Sequence, residues 1–272
     1  MAEPIRKVPA NQEKVSSSAK TDLFFYGYRL KHVHLPSGEE IEQQIPLTPE
    51  DLLDPQPGDV VGQSRRHFEL RFLLSGFLER HYSSRKDVYV AVDMKMLWGI
   101  PGLPEPAPDI AVIQGVGEDD NREDFDVVEE GTRPCLVIEI VSSKDSETRR
   151  NDYERKVEIY QKVGIPEYLI LDPPTAYTEH RLLMTGYRLR PDDRYRRIEP
   201  DAEGRLLSET TQLLFGVAED GRTLKVIDAA TGERLLTCEE MEAALAREAE
   251  ARKAAEAEIA RLRAELERLR DS

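Results

Sequence analysis

The chain contains little cysteine and no long apolar run. Only two of its 272 residues are cysteines, Cys135 and Cys238. They do not have the spacing of a zinc site or of a small disulfide-rich domain, so we expect both thiols to be reduced. No stretch approaches the ~18–20 apolar residues of a membrane-spanning helix, and residues 1–20 lack the apolar region of a secretory signal. These absences predict a cytoplasmic protein with no membrane partner.

The chain also has fewer basic than acidic residues, so its net charge is negative. The 38 lysines and arginines are outnumbered by 53 acids, which gives a net charge of −15 at pH 7 and argues against a nonspecific binder of polyanions. The segment Gly117–Glu130 holds eight of the acids and one arginine, so much of the excess lies in one predicted loop. The chain has three short basic clusters: Arg65–Arg66, Arg149–Arg150 and Arg194–Arg196–Arg197. Two interpretations of each cluster stay open: a solvated surface, or a contact with phosphate.

A lysine lies on the apolar face of a predicted helix. At 100° per residue, the segment Arg149–Val163 places its apolar side chains on one arc. Lys156 falls in the middle of this arc, and Asp152 lies near its edge. Burying an ammonium group costs several kcal/mol unless anions or hydrogen bonds receive it. The helix therefore predicts a buried anionic partner for Lys156.

Two acidic residues on predicted strands are candidates for that partner. Glu139 stands inside the apolar strand Cys135–Val141, and Asp109 follows Pro108 at the start of the strand Asp109–Ile113. Two carboxylates and a lysine that converge on strand ends are typical of a metal-dependent hydrolytic site. We therefore expect Asp109, Glu139 and Lys156 to lie together.

The predicted core elements follow one another in the order α-β-β-β-α-β. They are Ser64–Tyr82, Val88–Trp98, Asp109–Ile113, Cys135–Val141, Arg149–Val163 and Glu167–Leu171. The two helices have apolar positions at helical spacing, and the strands are short apolar or alternating runs. Few folds place a three-strand meander between two helices and then return with another strand. The order therefore predicts an α/β fold.

The flanking segments differ in composition from this core. Residues 1–20 are polar and aperiodic, which predicts a disordered leader. Thr21–Pro46 predicts a β-hairpin, and Thr48–Leu53 a short helix capped by Thr48. Strand candidates between Arg181 and Thr237 predict a β-rich extension. We therefore predict a domain at 21–237, with its core at about 60–175, and a C-terminal helix at 238–272.

The C-terminal helix carries an apolar stripe at coiled-coil spacing. Nine positions follow a 4-3 repeat: Met241, Leu245, Glu248, Arg252, Ala255, Ile259, Leu262, Leu266 and Leu269. The pattern is strong toward the C-terminus and weak where Glu248 and Arg252 occupy the seam. It predicts a coiled coil and a homodimer, while a stripe that folds back on its own domain or binds another protein stays an alternative.

Several motifs in the core stand at the spacing of a known family. They are Pro108-Asp109, Glu139–Ser142, Asp152 with Lys156 and Tyr160, Gly164-Ile165, and Glu167-Tyr168. With the element order, these motifs resemble the Uma-two-type restriction-endonuclease-like family of the PD-(D/E)xK nuclease superfamily. The resemblance covers residues 60–175 and implies a restriction-endonuclease-like αβββαβ core with β-rich extensions. It also implies a metal-dependent endonuclease that hydrolyses DNA.

The resemblance implies a role for each motif residue. Asp109 and Glu139, with the backbone carbonyl of Ile140, would bind Mg²⁺ or Mn²⁺. Lys156 would orient or deprotonate the attacking water, or steady the phosphate. Asp152 would hold the lysine or reach a second metal. His67 matches a frequent family position at the start of a helix.

One position departs from the wider superfamily. The usual lysine stands two residues after the acidic residue, where this chain has Val141. The resemblance implies that Lys156 takes its place from the following helix. Two hypotheses follow: an active endonuclease if Lys156 reaches the carboxylates, and otherwise an inactive nuclease-fold protein that acts in nucleic-acid binding or oligomeric assembly.

Overall fold

The computed structural model describes residues 23–117, 122–142 and 145–270. The predicted leader, residues 1–20, lies outside the described residues. The chain forms two compact units, one of residues up to Thr48 together with Gly58–Val61, and one of Pro49–Pro57 together with the residues from Gly62 onward. No helix among the described residues is long and apolar enough to cross a membrane.

The first unit is a small antiparallel sheet built on a hairpin. Its strands, in the order β2-β1-β3, are β1 (Tyr28–His34), β2 (Glu40–Pro46) and β3 (Asp59–Val60). The hairpin predicted from the sequence is confirmed, and Gly38 occupies the positive φ of 86° that its turn requires. Arg29 binds Asp59 through two hydrogen bonds of 2.6 and 2.8 Å, which ties β3 to β1.

The second unit contains a six-stranded mixed sheet with helices on both faces. Its elements up to the last sheet strand are α1 (Arg65–His81), β4 (Val88–Val92), β5 (Lys95–Leu97), β6 (Ile110–Gln114), β7 (Asp124–Asp126), β8 (Pro134–Ile140), α2 (Ser146–Arg150), α3 (Lys156–Lys162), β9 (Glu167–Asp172), β10 (Leu183–Leu189) and β11 (Tyr195–Arg197). The strand order is β11-β10-β9-β8-β6-β4, with β8 and β9 parallel. The predicted α-β-β-β-α-β order is therefore present in α1, β4, β6, β8, the α2–α3 segment and β9.

The central strand β8 is buried on both faces because both faces carry a hydrophobic layer. Leu136 and Ile138 pack with Leu74 and Phe77 of α1. The alternate residue Val137 packs with α3 and with Tyr168 of β9. A strand between two layers reads as a continuous apolar run. Glu139 lies on the same side of the strand as Val137, because side chains alternate along a strand.

Two predictions for short elements are wrong. Val88–Trp98 is not one strand: the chain turns at Asp93, which has a φ of 51°, and β5 then pairs with β7 in a separate two-stranded parallel sheet. A left-handed residue breaks the extended path of a strand. The short helix is a 3₁₀ turn at Asp51–Leu53 with Glu50, not Thr48, as its flanking residue. A turn of three residues is too short for α-helical bonds.

The predicted helix with Lys156 is interrupted rather than uniform. Between α2 and α3 lies a π-helical turn, Asn151–Arg155, in which the backbone N–H of Lys156 donates to the carbonyl of Asn151. The wider turn places one extra residue between α2 and α3. It contains Asp152 and ends next to Lys156, so the irregularity lies at the predicted site.

The chain ends with a small sheet and a long helix. The strands β12 (Leu206–Ser208), β13 (Leu213–Val217) and β14 (Leu224–Asp228) form an antiparallel sheet, and α4 spans Cys238–Arg270. No residue of α4 is buried. The β-rich extension and the C-terminal helix predicted from the sequence are therefore both present.

Candidate active site

Asp109 and Glu139 lie together because their strands run in opposite directions. Strands β6 and β8 are antiparallel, with Ile110 opposite Ile138, so the residue before β6 meets the end of β8. The backbone N–H of Ile140 donates to Oδ2 of Asp109 at 2.8 Å. Asp109 is 5% exposed and Glu139 is 2% exposed. Two buried carboxylates at the neighbouring ends of two strands need cationic or hydrogen-bond partners.

Lys156 supplies one of those partners. Its Nζ lies 2.8 Å from Oε2 of Glu139 and 2.8 Å from Oδ1 of Asp152, and the residue is only 9% exposed. Burial lowers the pKa of Lys156, but Asp152, Glu139 and Asp109 more than offset it, so the pKa lies above its ordinary value. Lys156 is therefore a buried ammonium with direct contacts to two carboxyl groups.

The carboxyls of this cluster do not titrate alike. Burial raises the pKa of Glu139 to about 8, with Asp109 and Asp152 adding to the rise and Lys156 opposing it. Burial also raises the pKa of Asp152. For Asp109, burial acts upward, but the hydrogen bond and charge of His67, with Lys156, bring its pKa below the ordinary value. Different local environments thus give these chemically similar carboxyl groups different pKa values.

His67 reaches the cluster from the first turn of α1. Ser64 caps this helix by accepting from the backbone N–H of His67 at 3.2 Å. The Nε2 of His67 lies 2.6 Å from Oδ1 of Asp109, and Nη1 of Arg71, one turn later, lies 3.6 Å from the same oxygen. Burial lowers the pKa of His67, but Asp109 raises it overall. The predicted supporting residue thus contacts a predicted ligand directly.

Two tyrosines support the site in a way that sequence reasoning missed. Tyr160, a residue of the family motif, is buried, and its hydroxyl donates to Oε1 of Glu139 at 2.6 Å. The hydroxyl of Tyr168 donates to the carbonyl of Asp152 at 2.8 Å. The signal for Tyr160 was its spacing, four residues after Lys156 on the same helical face. Tyr168 gave no signal beyond its motif, because its contact depends on the packing of β9 against the π turn.

The basic clusters have different environments. Arg149 forms two hydrogen bonds with the buried carboxylate of Asp172, so it holds the helical segment to the end of β9. Arg196 lies 3.0 Å from Asp192 on the surface. Arg65 and Arg66 are exposed on the helix that carries His67. Arg65 and Arg66 are therefore exposed on an element that contacts Asp109, whereas Arg149 is bound to Asp172.

The donor set is chemically suited to a hard divalent cation. Each carboxylate oxygen of Asp109 and Glu139 accepts at least one contact from the protein, and such oxygens retain further lone pairs. No group of three or more His, Cys, Asp or Glu side chains in the described ranges is arranged to hold a metal ion. A cation here would therefore need the two carboxylates, a backbone oxygen such as that of Ile140, and water.

A comparison with protein families identifies the family of this chain. The family model Uma2, described as "Putative restriction endonuclease", matches residues 41–224, which is more than half of the chain. The chain belongs to the Uma2 family. This membership and the element order confirm the predicted restriction-endonuclease-like fold, and they assign the chain to a nuclease family with nucleic acid as the substrate class.

Two chains of solved structures are similar to this Uma2 chain, one of them over more than half of its length. This one is described as a putative nuclease belonging to DUF820 from Anabaena variabilis ATCC 29413, at 17% identity and a TM-score of 0.35. The similarity covers 62% of this chain and 77% of that chain. No curated protein matches.

Proposed function

We propose that the protein is a divalent-metal-dependent endonuclease that hydrolyses DNA phosphodiester bonds at the cluster of Asp109, Glu139 and Lys156. The observation that carries the proposal is the contact of Lys156 with Glu139 at 2.8 Å. The lysine absent from position 141 is replaced by one that reaches the same carboxylate from α3. This contact favours an active enzyme over the inactive nuclease-fold alternative.

Asp109, Glu139 and the carbonyl of Ile140 are the residues that would hold Mg²⁺ or Mn²⁺. The ion would polarise the phosphate and lower the pKa of a bound water. In the reaction, a lone pair of the water oxygen forms a bond to phosphorus. The bond from phosphorus to one sugar oxygen breaks with its electron pair. One proton of the attacking water leaves to solvent, and the sugar oxygen takes one proton from solvent to become a hydroxyl.

The protein's own side chains position the reactants. The ammonium of Lys156 donates hydrogen bonds. It therefore orients the attacking water and stabilises the negative charge that develops on the phosphate oxygens. Asp152 holds Lys156 from the π turn. His67 fixes Asp109, and Tyr160 fixes Glu139. Each reactive group thus has a second contact that sets its direction.

The test is a cleavage assay with the full-length chain on plasmid, linear duplex and single-stranded DNA. We expect cleavage with Mg²⁺ or Mn²⁺ and none with EDTA. Lys156→Ala should lower the rate on the order of 10²-fold, while Lys162→Ala, on the exposed side of α3, should cleave like the wild type.

Loss of a buried cation also destabilises a protein, so Lys156→Arg and the melting temperature of each variant serve as folding controls. Failure of the wild type to cleave with either cation would contradict the proposal. Cleavage by a folded Lys156→Ala variant at the wild-type rate would contradict the role of the lysine.

We also propose that the protein is a homodimer that pairs through α4, and that it acts in the cytoplasm. Four exposed residues lie at consecutive seam positions of α4: Ile259, Leu262, Leu266 and Leu269. A single exposed helix with such a stripe is stabilised by a second helix. An enzyme that cuts both strands of DNA also benefits from two sites related by a two-fold axis.

The charges beside the seam favour a parallel pair. With Ile259 and Leu266 at a positions, Glu258 and Glu265 occupy g positions, and Arg263 and Arg270 occupy e positions. In a parallel coiled coil each g residue faces the e residue five positions later on the other helix. Glu258 would then meet Arg263, and Glu265 would meet Arg270, on both sides of the dimer. Glu248 and Arg252 fall at the seam, so we expect the helices to separate toward their N-terminal halves.

A further inference from the structure

Two phenylalanines are exposed side by side on α1. Phe68 is 56% exposed and Phe72 is 71% exposed. Their rings are 6.2 Å apart between centroids and nearly parallel, with an interplanar angle of 13°. Single exposed apolar residues are ordinary in folded proteins. Two large exposed aromatic rings with nearly parallel planes are different, because together they form an apolar surface against which a planar ligand can pack.

This aromatic pair lies on the helix that contacts Asp109. At 100° per residue, the stripe of Phe68 and Phe72 is adjacent to the stripe of His67 and Arg71 on the same helix. His67 contacts Asp109 at 2.6 Å, and Arg71 approaches it at 3.6 Å. A ligand that reaches Asp109 along α1 would therefore also reach the two rings.

The surroundings of the rings favour an anionic ligand. Arg65 and Arg66 are exposed on the first turn of α1, where the helix N-terminus also attracts negative charge. Arg65 lies 2.6 Å from the exposed carboxylate of Glu69. Surface pairs of this kind contribute little and are readily exchanged for a phosphate. Planar apolar faces combined with arginines are the arrangement that binds single-stranded nucleic acid.

We propose that Phe68 and Phe72 form a stacking platform for unpaired bases of a DNA strand whose phosphate lies at Asp109 and Glu139. The inference rests on the proposed endonuclease function and narrows its substrate to DNA with unpaired bases beside the cleaved bond. In a duplex, the bases are stacked inside, and the surface that meets the protein is the charged sugar–phosphate backbone. The two rings would then be covered by sugar and phosphate without a stacking partner.

The experiment measures binding separately from cleavage. A fluorescently labelled DNA strand and a duplex of the same sequence are titrated with the full-length protein in EDTA, and fluorescence anisotropy gives each Kd. We expect Phe68→Ala and Phe72→Ala each to weaken single-strand binding about tenfold, with duplex binding changed by less than about twofold. Phe72→Trp should preserve single-strand binding, because it keeps an aromatic face.

Val128→Ala is the matched control, because Val128 is another exposed apolar side chain at 68% exposure. It should leave both Kd values unchanged. Equal losses for strand and duplex, or no loss for either, would overturn the platform. A change in oligomeric state on light scattering without a change in single-strand Kd would show that the rings bind another copy of the chain instead, which also overturns it.

The outcomes separate the two proposals. If the wild type cleaves DNA with Mg²⁺ or Mn²⁺ while the phenylalanine variants bind single strands normally, the platform is wrong and the endonuclease stands. If the wild type cleaves no DNA but the variants lose single-strand binding selectively, the endonuclease is wrong and the stacking site stands.

Discussion

At the scale of single residues, the site is a chain of contacts in which every charged group has a partner. His67 and Arg71 lie close to Asp109, which accepts a hydrogen bond from the backbone N–H of Ile140. Lys156 contacts both Glu139 and Asp152. Tyr160 donates a hydrogen bond to Glu139. In an interior of low dielectric, one missing member leaves an uncompensated polar group. Substitutions here are therefore expected to affect stability as well as chemistry.

Metal binding should require Glu139. Glu139→Ala removes one of two adjacent carboxylates, so calorimetric titration with Mn²⁺ should show the loss of the high-affinity site that the wild type displays. The control variant is Glu158→Ala, because Glu158 is an exposed acid on α3. This variant should bind Mn²⁺ like the wild type. Unchanged Mn²⁺ affinity in a folded Glu139→Ala variant would show that the assignment of this ligand is wrong.

The hydroxyl of Tyr160 should stabilise the fold through Glu139. Tyr160→Phe keeps the ring in the core but removes the donor to a buried carboxyl oxygen, so we expect a loss of about 1–3 kcal/mol in the free energy of unfolding. Tyr195→Phe removes a hydrogen bond of 2.9 Å to the carbonyl of Ile165. Above pH 8, where Glu139 is ionised, this change should cost less because its acceptor is a neutral carbonyl. Denaturant unfolding of both variants measures the difference. Equal costs would contradict it.

At the scale of elements, β9 is anchored by a buried acid that is structural rather than catalytic. Glu167, a member of the family motif, is buried. It accepts from Arg188 at 2.7 Å, from the hydroxyl of Thr210 at 2.7 Å and from the backbone N–H of Glu209 at 3.0 Å. These bonds connect β9 to β10 and to the segment after β12. The motif residue therefore holds the sheet that carries the site.

The contribution of Glu167 should depend on pH. Burial raises its pKa, but hydrogen bonds from Ser208, Thr210 and Arg188 bring it below the ordinary value of 4.5. A carboxyl with a depressed folded-state pKa stabilises the protein above its unfolded-state pKa, and this contribution is lost as pH falls through the folded-state pKa. Glu167→Gln should thus be most destabilising near neutral pH, with the difference from the wild type shrinking below pH 4.5.

Unfolding free energies across a pH series measure this dependence. Glu209→Gln is the control, because Glu209 is an exposed partner of the same arginine, Arg188, and exposed pairs contribute at most about 1 kcal/mol. A difference between wild type and Glu167→Gln that stays constant from neutral pH to acid would rule out the ionised carboxylate as the source of the stability.

The π turn before α3 is an element that helical periodicity does not predict. A uniform α-helix would place Asp152 and Lys156 one turn apart, with Lys156 on the apolar face and Asp152 near its edge. In the structure both are buried, and the turn between them has the wider π geometry. π turns inside helices are frequent at functional sites. This one contains Asp152, whose side chain contacts Lys156 and whose carbonyl accepts from Tyr168.

At the scale of the whole molecule, the exposed helix α4 determines the expected assembly. Light scattering of the full-length chain should give the mass of a dimer at micromolar concentration. Leu262→Lys with Leu266→Lys should give a monomer, because two charges at the seam replace two apolar layers. The matched control is Arg261→Ala with Arg268→Ala, which alters charged positions outside the seam. A monomeric wild type would contradict the dimer, and a dimeric seam variant would assign the interface to another surface.

The direction of the two helices can be tested separately. In a parallel pair, Leu266 faces its own counterpart, so oxidation of a Leu266→Cys variant should give a covalent dimer. Wild-type protein, which has only Cys135 and Cys238, is the control. An antiparallel pair would separate the introduced thiols along the helix, and the absence of cross-linking in a dimeric variant would exclude the parallel arrangement.

Local patterns determined much of this protein from the sequence alone. Helical and strand periodicity depends on near neighbours, so α1, β6, β8, β9 and α4 were predicted from it within about two residues. A lysine on an apolar arc and a glutamate in an apolar strand each require a buried partner wherever they fold. That requirement, together with the family motifs, was enough to indicate Asp109, Glu139 and Lys156 as one cluster.

Only the tertiary structure decided which atoms meet. The antiparallel register of β6 and β8 brings Asp109 to Ile140, and the packing of α3 against the sheet brings Lys156 to Glu139. The hydroxyls of Tyr160 and Tyr168 found their acceptors through packing between elements distant in sequence. Likewise, the break at Asp93 and the role of Glu167 depend on contacts with other segments. Sequence periodicity records which face of an element is buried, whereas the partner on that face is set by the arrangement of the whole chain.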